Sequence, residues 1–83
     1  LSKTGLVVAD GANSVAVFKT DLTETADEFW SSGPFVLMTS GALFGQTRRI
    51  SSYVGATKQI SVFNAFTSTP ASGSSFKLIN GGG

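Results

Sequence analysis

Residues 45 to 63, GQTRRISSYVGATKQISVF, leave few ways to fold. Two runs alternate side chains with the period of a strand, and the link VGAT between them carries the glycine that a tight reversal wants. The expectation is an antiparallel hairpin. In the first run Arg48, Ile50 and Ser52 fall on one face, with Thr47, Arg49, Ser51 and Tyr53 on the other. In the second, Lys58, Ile60 and Val62 oppose Gln59, Ser61 and Phe63. Ile50, Ile60 and Val62 are then the core face. The same parity sends Arg48 and Arg49 to opposite sides of one strand, so these neighbours cannot form a single anion-binding patch.

The rest of the chain reads as further short strands. LVVAD (residues 6 to 10) and SVAVFKTDL (14 to 22) flank GANS, whose residues tolerate positive φ and local side-chain hydrogen bonds and so mark a turn. Leu6-Val8 and Val15-Val17 offer one buried face, while Phe18 sits on the opposite parity. PFVLMTS is apolar on both parities, which predicts a central strand buried on both sides. NAFTSTPASGSS is a loop punctuated by Pro70 and Gly73, and FKLI closes the domain as a last strand. Between the strands, TETADEFWSSG (residues 23 to 33) predicts one short helical turn: Thr25 and Glu28 fit a capping box, and Gly33-Pro34 ends it.

The fold expected is all-β, a small antiparallel barrel or sandwich of about six strands with one short helical turn. Residues 1 to 79 form a single domain, and 80 to 83 a flexible glycine-rich tail or linker. The expected core is Val8, Val15, Val17, Phe29, Trp30, Phe35, Leu37, Ile50, Ile60, Val62, Phe76 and Leu78. The start at Leu1, with no basic-then-apolar leader, reads as a fragment or processed chain.

Composition narrows the function. The 83 residues contain no cysteine and no histidine, which excludes disulfides, the usual zinc sites and the commonest general base. No metal or other cofactor is expected. Only 13% of residues are charged, about half the usual share, and 41% are hydrophobic; this suits a surface partly covered by partners. All five acids (Asp10, Asp21, Glu24, Asp27 and Glu28) precede residue 29, and Arg48, Arg49, Lys58 and Lys77 follow with no acid among them. Four sparse cations make a poor nucleic-acid footprint, so pairing between the two halves of the chain is the favoured reading. Arg48 or Arg49 is then expected to pair with Asp27 or Glu28. The longest apolar runs are far too short to span a bilayer, so no membrane partner is expected.

Chemistry is sparse. Adjacent carboxylates such as Asp27 and Glu28 point about 100° apart on a helix, away from any shared substrate. GALFGQT lacks the glycine spacing and the Gly-Lys-Ser/Thr ending of a phosphate loop, and its glycines serve backbone reversal. The chain is read as no enzyme. Trp30, Tyr53 and Phe66 are the rings that could stack on a sugar, provided they share an exposed surface.

The succession SG-x-x-x-GQTRRI-x-x-Y-x-GATK-x-I-x-V-x-x-x-F, then P-x-x-G-x-x-F-x-L, preceded by DEFW-x-x-G and an apolar strand, resembles a small β-domain of tailed-bacteriophage and prophage structural proteins. These are fibre, tail and capsid-associated chains. The resemblance covers nearly all of residues 4 to 79 and implies a non-catalytic module of the virion. Such a module docks other virion chains or a host surface, and the low surface charge and apolar excess add the expectation of a homo-oligomer. A carbohydrate-binding adhesion module is the alternative.

Overall fold

The structure, a computed structural model, describes residues 2–27 and 33–80. Six strands form one antiparallel sheet: β1 (Ser2–Leu6), β2 (Val17–Lys19), β3 (Pro34–Met38), β4 (Thr47–Val54), β5 (Gln59–Val62) and β6 (Ser75–Asn80), in the order β1-β6-β3-β4-β5-β2. The sheet curls into a half-barrel. At one corner the chain after β1 meets the chain after β2, through a Val7–Thr20 bridge and the hydrogen bonds Val8 N to Lys19 O (2.9 Å) and Asp21 N to Leu6 O (3.1 Å). Fold class and hairpin follow the sequence reading. Among the described residues there is no helix; residues 23–27 make only a bend and turn, and the remainder of the expected helical turn lies outside them, as do Phe29, Trp30 and residues 81–83 of the tail.

The concave face holds the core. Phe18 lies edge-on to Phe66 (6.1 Å between centroids) and to Phe76 (6.0 Å), the arrangement that ring quadrupoles favour. Val7, Val36, Met38, Ile50, Tyr53, Ile60, Val62 and Leu78 complete it, with Leu22 and Leu43 closing from the connecting segments. The expected core face holds for Ile50, Ile60, Val62, Phe76 and Leu78. It fails where both parities are apolar. On β3 the buried set is Pro34, Val36 and Met38, with Phe35 and Leu37 half-buried on the convex face; around β2 it is Phe18, while Val17 is half-buried and Val15 exposed; after β1 it is Val7, with Val8 half-buried. β3 is central but not sealed on both sides. A one-residue choice of register decides the face, and the larger ring of Phe18 has more to gain from burial than Val15 or Val17.

Tyr53 is the second correction. Alternation alone places it opposite Ile50, yet both are buried. The register shifts between Ile50 and Ser52 against β5, so Ser51 is an extra residue that returns Tyr53 to the concave face opposite Ile60. The reversal from β3 to β4 uses Gly41 and Gly45 at φ +80° and +87°, the backbone role the sequence suggested for GALFGQT.

From Asp21 to Asp27 the chain runs without regular structure across the open end of the half-barrel, burying Leu22 and passing against the turn between β4 and β5. Gly55 of that turn meets the Thr25 backbone so closely that a Cβ would overlap the Thr25 carbonyl and stand 2.9 Å from Ala26 N.

Candidate interaction surface

Arg48 and Arg49 do point to opposite faces, and they lead different lives. Arg48, half-buried, donates from Nε to Ala65 O (3.0 Å), from Nη1 to Thr47 O (2.9 Å) and from Nη2 to Gln46 Oε1 (3.3 Å). Its guanidinium lies over the Phe66 ring, 5.1 Å from the centroid. Every one of these partners is local packing: Arg48 fastens the loop after β5 to β4. Arg49 is exposed on the convex face, its guanidinium 5.8 Å from the Phe63 centroid and close against Gly33, where a Cβ would lie 3.0 Å from Nη2.

Neither arginine pairs with Asp27. That carboxylate instead accepts from Gly55 N (2.7 Å), and among the described residues the ion pair formed is Lys3 Nζ–Glu24 Oε2 at 2.8 Å. Glu28 lies outside the described residues. The physical reason is placement: Asp27 sits at the β4–β5 turn, several residues along β4 from either guanidinium. The two halves of the chain meet through hydrogen bonds to backbone groups, Gly55 N to Asp27 and Lys58 Nζ to Glu24 O at 2.9 Å, while the ion pair lies within the first half.

The rings proposed for sugar stacking are not a platform. Tyr53 is 1% exposed and Phe66 3%, both inside the core, while Trp30 lies outside the described residues. The exposed aromatics are others: Phe44 at 72% and Phe63 at 64%. Strand pairing sets Ile79, Phe35 and Arg49 side by side across β6, β3 and β4 on the convex face, and Phe63, whose N–H donates to Arg49 O, continues the row. Leu37, Lys77 and Thr47 form the next row. A half-buried apolar row beside two cations is a docking surface in composition, with Arg and aromatic side chains at its centre. Sequence reasoning missed Phe63 and Phe44; the period-2 pattern already put Phe63 opposite Ile60 and Val62, and that was the available signal.

A second polar cluster sits at the open end. The Glu24 carbonyl accepts from Tyr53 Oη (2.7 Å) as well as from Lys58, while its carboxylate holds Lys3. Burial pushes the Glu24 carboxyl up, and its Oε1 is buried without a hydrogen bond among the described residues; the Lys3 ammonium and nearby backbone donors outweigh this and hold it below the ordinary 4.5. Burial, then the charges of Glu24 and Asp27, push the Tyr53 hydroxyl above its ordinary 10.0. Among the described residues no group of three or more His, Cys, Asp or Glu side chains could hold a metal ion.

No family model, curated protein or solved structure matches this chain.

Proposed function

We propose that the chain is a non-catalytic structural module of a tailed-phage virion, capsid-decorating or tail- or fibre-associated, which docks other virion chains and self-associates. The observation that carries this reading is the convex face: Phe63 is 64% exposed beside Arg49, in line with half-buried Phe35 and Ile79. A surface row of this kind is costly to leave wet and suits a protein interface. The sequence resemblance supplies the virion setting, and the low charge of the chain is consistent with crowded assembly. The sugar-binding alternative loses Tyr53 and Phe66 to the core, and no observation favours it.

The test is absolute mass by light scattering across a concentration series, with co-sedimentation on purified capsids and tails. A defined oligomer or capture on either particle supports the reading, and Phe63→Ser with Arg49→Ser should weaken it at least tenfold. A strict monomer at high concentration with no affinity for capsids or tails overturns it.

A further inference from the structure

Charge is sorted by strand order. β6, β3 and β4, adjacent in the middle of the sheet, carry Lys77, Arg48 and Arg49 and no acid. The described carboxylates belong to the other side of the curl, the corner where the chain after β1 meets the chain after β2 through the Val7–Thr20 bridge. Asp10 lies in the connection between those strands, and Asp21 Oδ1 accepts from Leu6 N (2.8 Å). Glu24 pairs with Lys3 of β1, and Asp27 Oδ1 accepts from Gly55 N (2.7 Å), in the turn whose Lys58 O accepts from Thr20 N (2.8 Å). The cations of this corner are half-buried: Lys3 and Lys58 hold their ammoniums at the Glu24 carboxylate and carbonyl, and Lys19 stands on β2. Asp10, Asp21 and Asp27 are exposed.

Apolar exposure follows the same division. On the convex face Phe63 is exposed beside Arg49, with Phe35 and Leu37 half-buried in the neighbouring strand. At the corner Leu6 is exposed where Asp21 takes its N–H, and Val54 is exposed next to the Gly55 amide that Asp27 holds. One surface sets apolar side chains beside cations, the other sets them beside carboxylates. We propose that the convex face docks the acidic corner of a second copy of this chain, in a head-to-tail contact. This rests on reading the convex face as a docking surface and adds what occupies it.

Complementarity decides the geometry. Two convex faces set against each other would bring Arg49 and Lys77 of both copies together, a like-charge arrangement that costs affinity. Head to tail, the cations approach Asp21 and Asp27 of the next copy, and Phe63 approaches its Leu6 and Val54. The two patches differ, so each copy in such a contact still offers one of them, and association extends into a ring or an open filament.

Two variants separate the patches. R49E/K77E reverses the face and leaves the corner intact. D10N/D21N/D27N removes charge from the corner yet keeps each Oδ1 as an acceptor for Ala12 N, Leu6 N and Gly55 N. Circular dichroism and thermal melting establish that both fold. In sedimentation velocity each variant alone should associate at least tenfold more weakly than the parent. Their equimolar mixture should form a one-to-one complex, because the first supplies the corner and the second the face. The parent gives a readout that needs no variant: its association should weaken about tenfold or more between about 0.05 and 0.5 M salt. A corner variant that self-associates like the parent, a mixture no more associated than its components, or parent association indifferent to salt overturns the proposal. A parent that is monomeric at every concentration also overturns it, and capture of that monomer on capsids or tails would then leave the virion reading standing.

Discussion

Gly55→Ala sets two effects of opposite sign against each other. The φ of Gly55 is not positive, so alanine can adopt the backbone conformation and would by itself stabilise the fold by about 0.5 kcal/mol through a less flexible unfolded chain. Against this, the new Cβ overlaps the Thr25 carbonyl, and backbone against backbone has no flexible end to yield. Residues 24–27 must move. Moving them weakens the part-buried bond from Gly55 N to Asp27, about 1 kcal/mol, and that from Tyr53 Oη to Glu24 O, about 1 kcal/mol more. Loosening the Lys3–Glu24 pair adds about 0.5 kcal/mol. The net expectation is a loss of about 2 kcal/mol, or roughly 8–16 °C in Tm for a domain of this size. Urea and thermal denaturation measure it. Gly11→Ala, with nothing within 4 Å of its Cβ, is the control and should be neutral or slightly stabilising. A double-mutant cycle sharpens the test: Tyr53→Phe should cost about 1 kcal/mol in the parent and measurably less once Gly55 is alanine. If Gly55→Ala is as stable as the parent, the close approach of Thr25 to the turn is refuted.

Other expectations follow from the same geometry. Arg48→Ala should destabilise by about 1–2 kcal/mol, since it loses three hydrogen bonds that fasten the loop after β5 and uncovers Phe66, whereas Arg49→Ala should cost under about 0.5 kcal/mol; denaturant midpoints compare them. Phe76→Ala, at a ring touching Phe18, should lose about 3–5 kcal/mol or abolish folding, while exposed Phe63→Ser changes stability little. Glu24 has a folded pKa below 4.5, so its contribution is complete above that value and disappears as pH falls through the lower folded value; Lys3→Met should shrink that acid limb in a plot of stability against pH. Tyr53 has a folded pKa above 10.0, so stability should begin to fall as pH rises past about 10, and Tyr53→Phe should remove this alkaline limb.

What could be read from the sequence was whatever local pattern determines. The hairpin of β4 and β5, the shared face of Ile50, Ile60 and Val62, and the opposed arginines all follow from strict alternation. LVVA, SVAVF and PFVLM have apolar residues on both parities, so the face chosen depends on what lies across the sheet, which no local window contains. The bulge at Ser51 is invisible for a similar reason: one unpaired serine among several leaves no mark in composition, yet it moves Tyr53 from one side of the sheet to the other. The acids of residues 21–27 look like the charges of a helix start. Their actual partners, Leu6, Lys3 and Gly55, stand 15, 21 and 28 positions away along the chain, and spacing within the segment carries no trace of them.

The other end of the sheet carries its own consequence. β2 is an edge strand, but its outward backbone groups are spoken for: Lys19 N by the Asn13 side chain, Lys19 O by Val8 N, Val17 N by the Ser14 hydroxyl and Val17 O by Ser14 N. An incoming strand would find no ladder to extend there. Concentrated solutions of the chain are thereby kept from zipping into a continuous cross-β array along this border. Of the four groups, only Lys19 N and Val17 N depend on side chains, so alanine at Asn13 and Ser14 together would unseal half of this border and leave the two carbonyls covered.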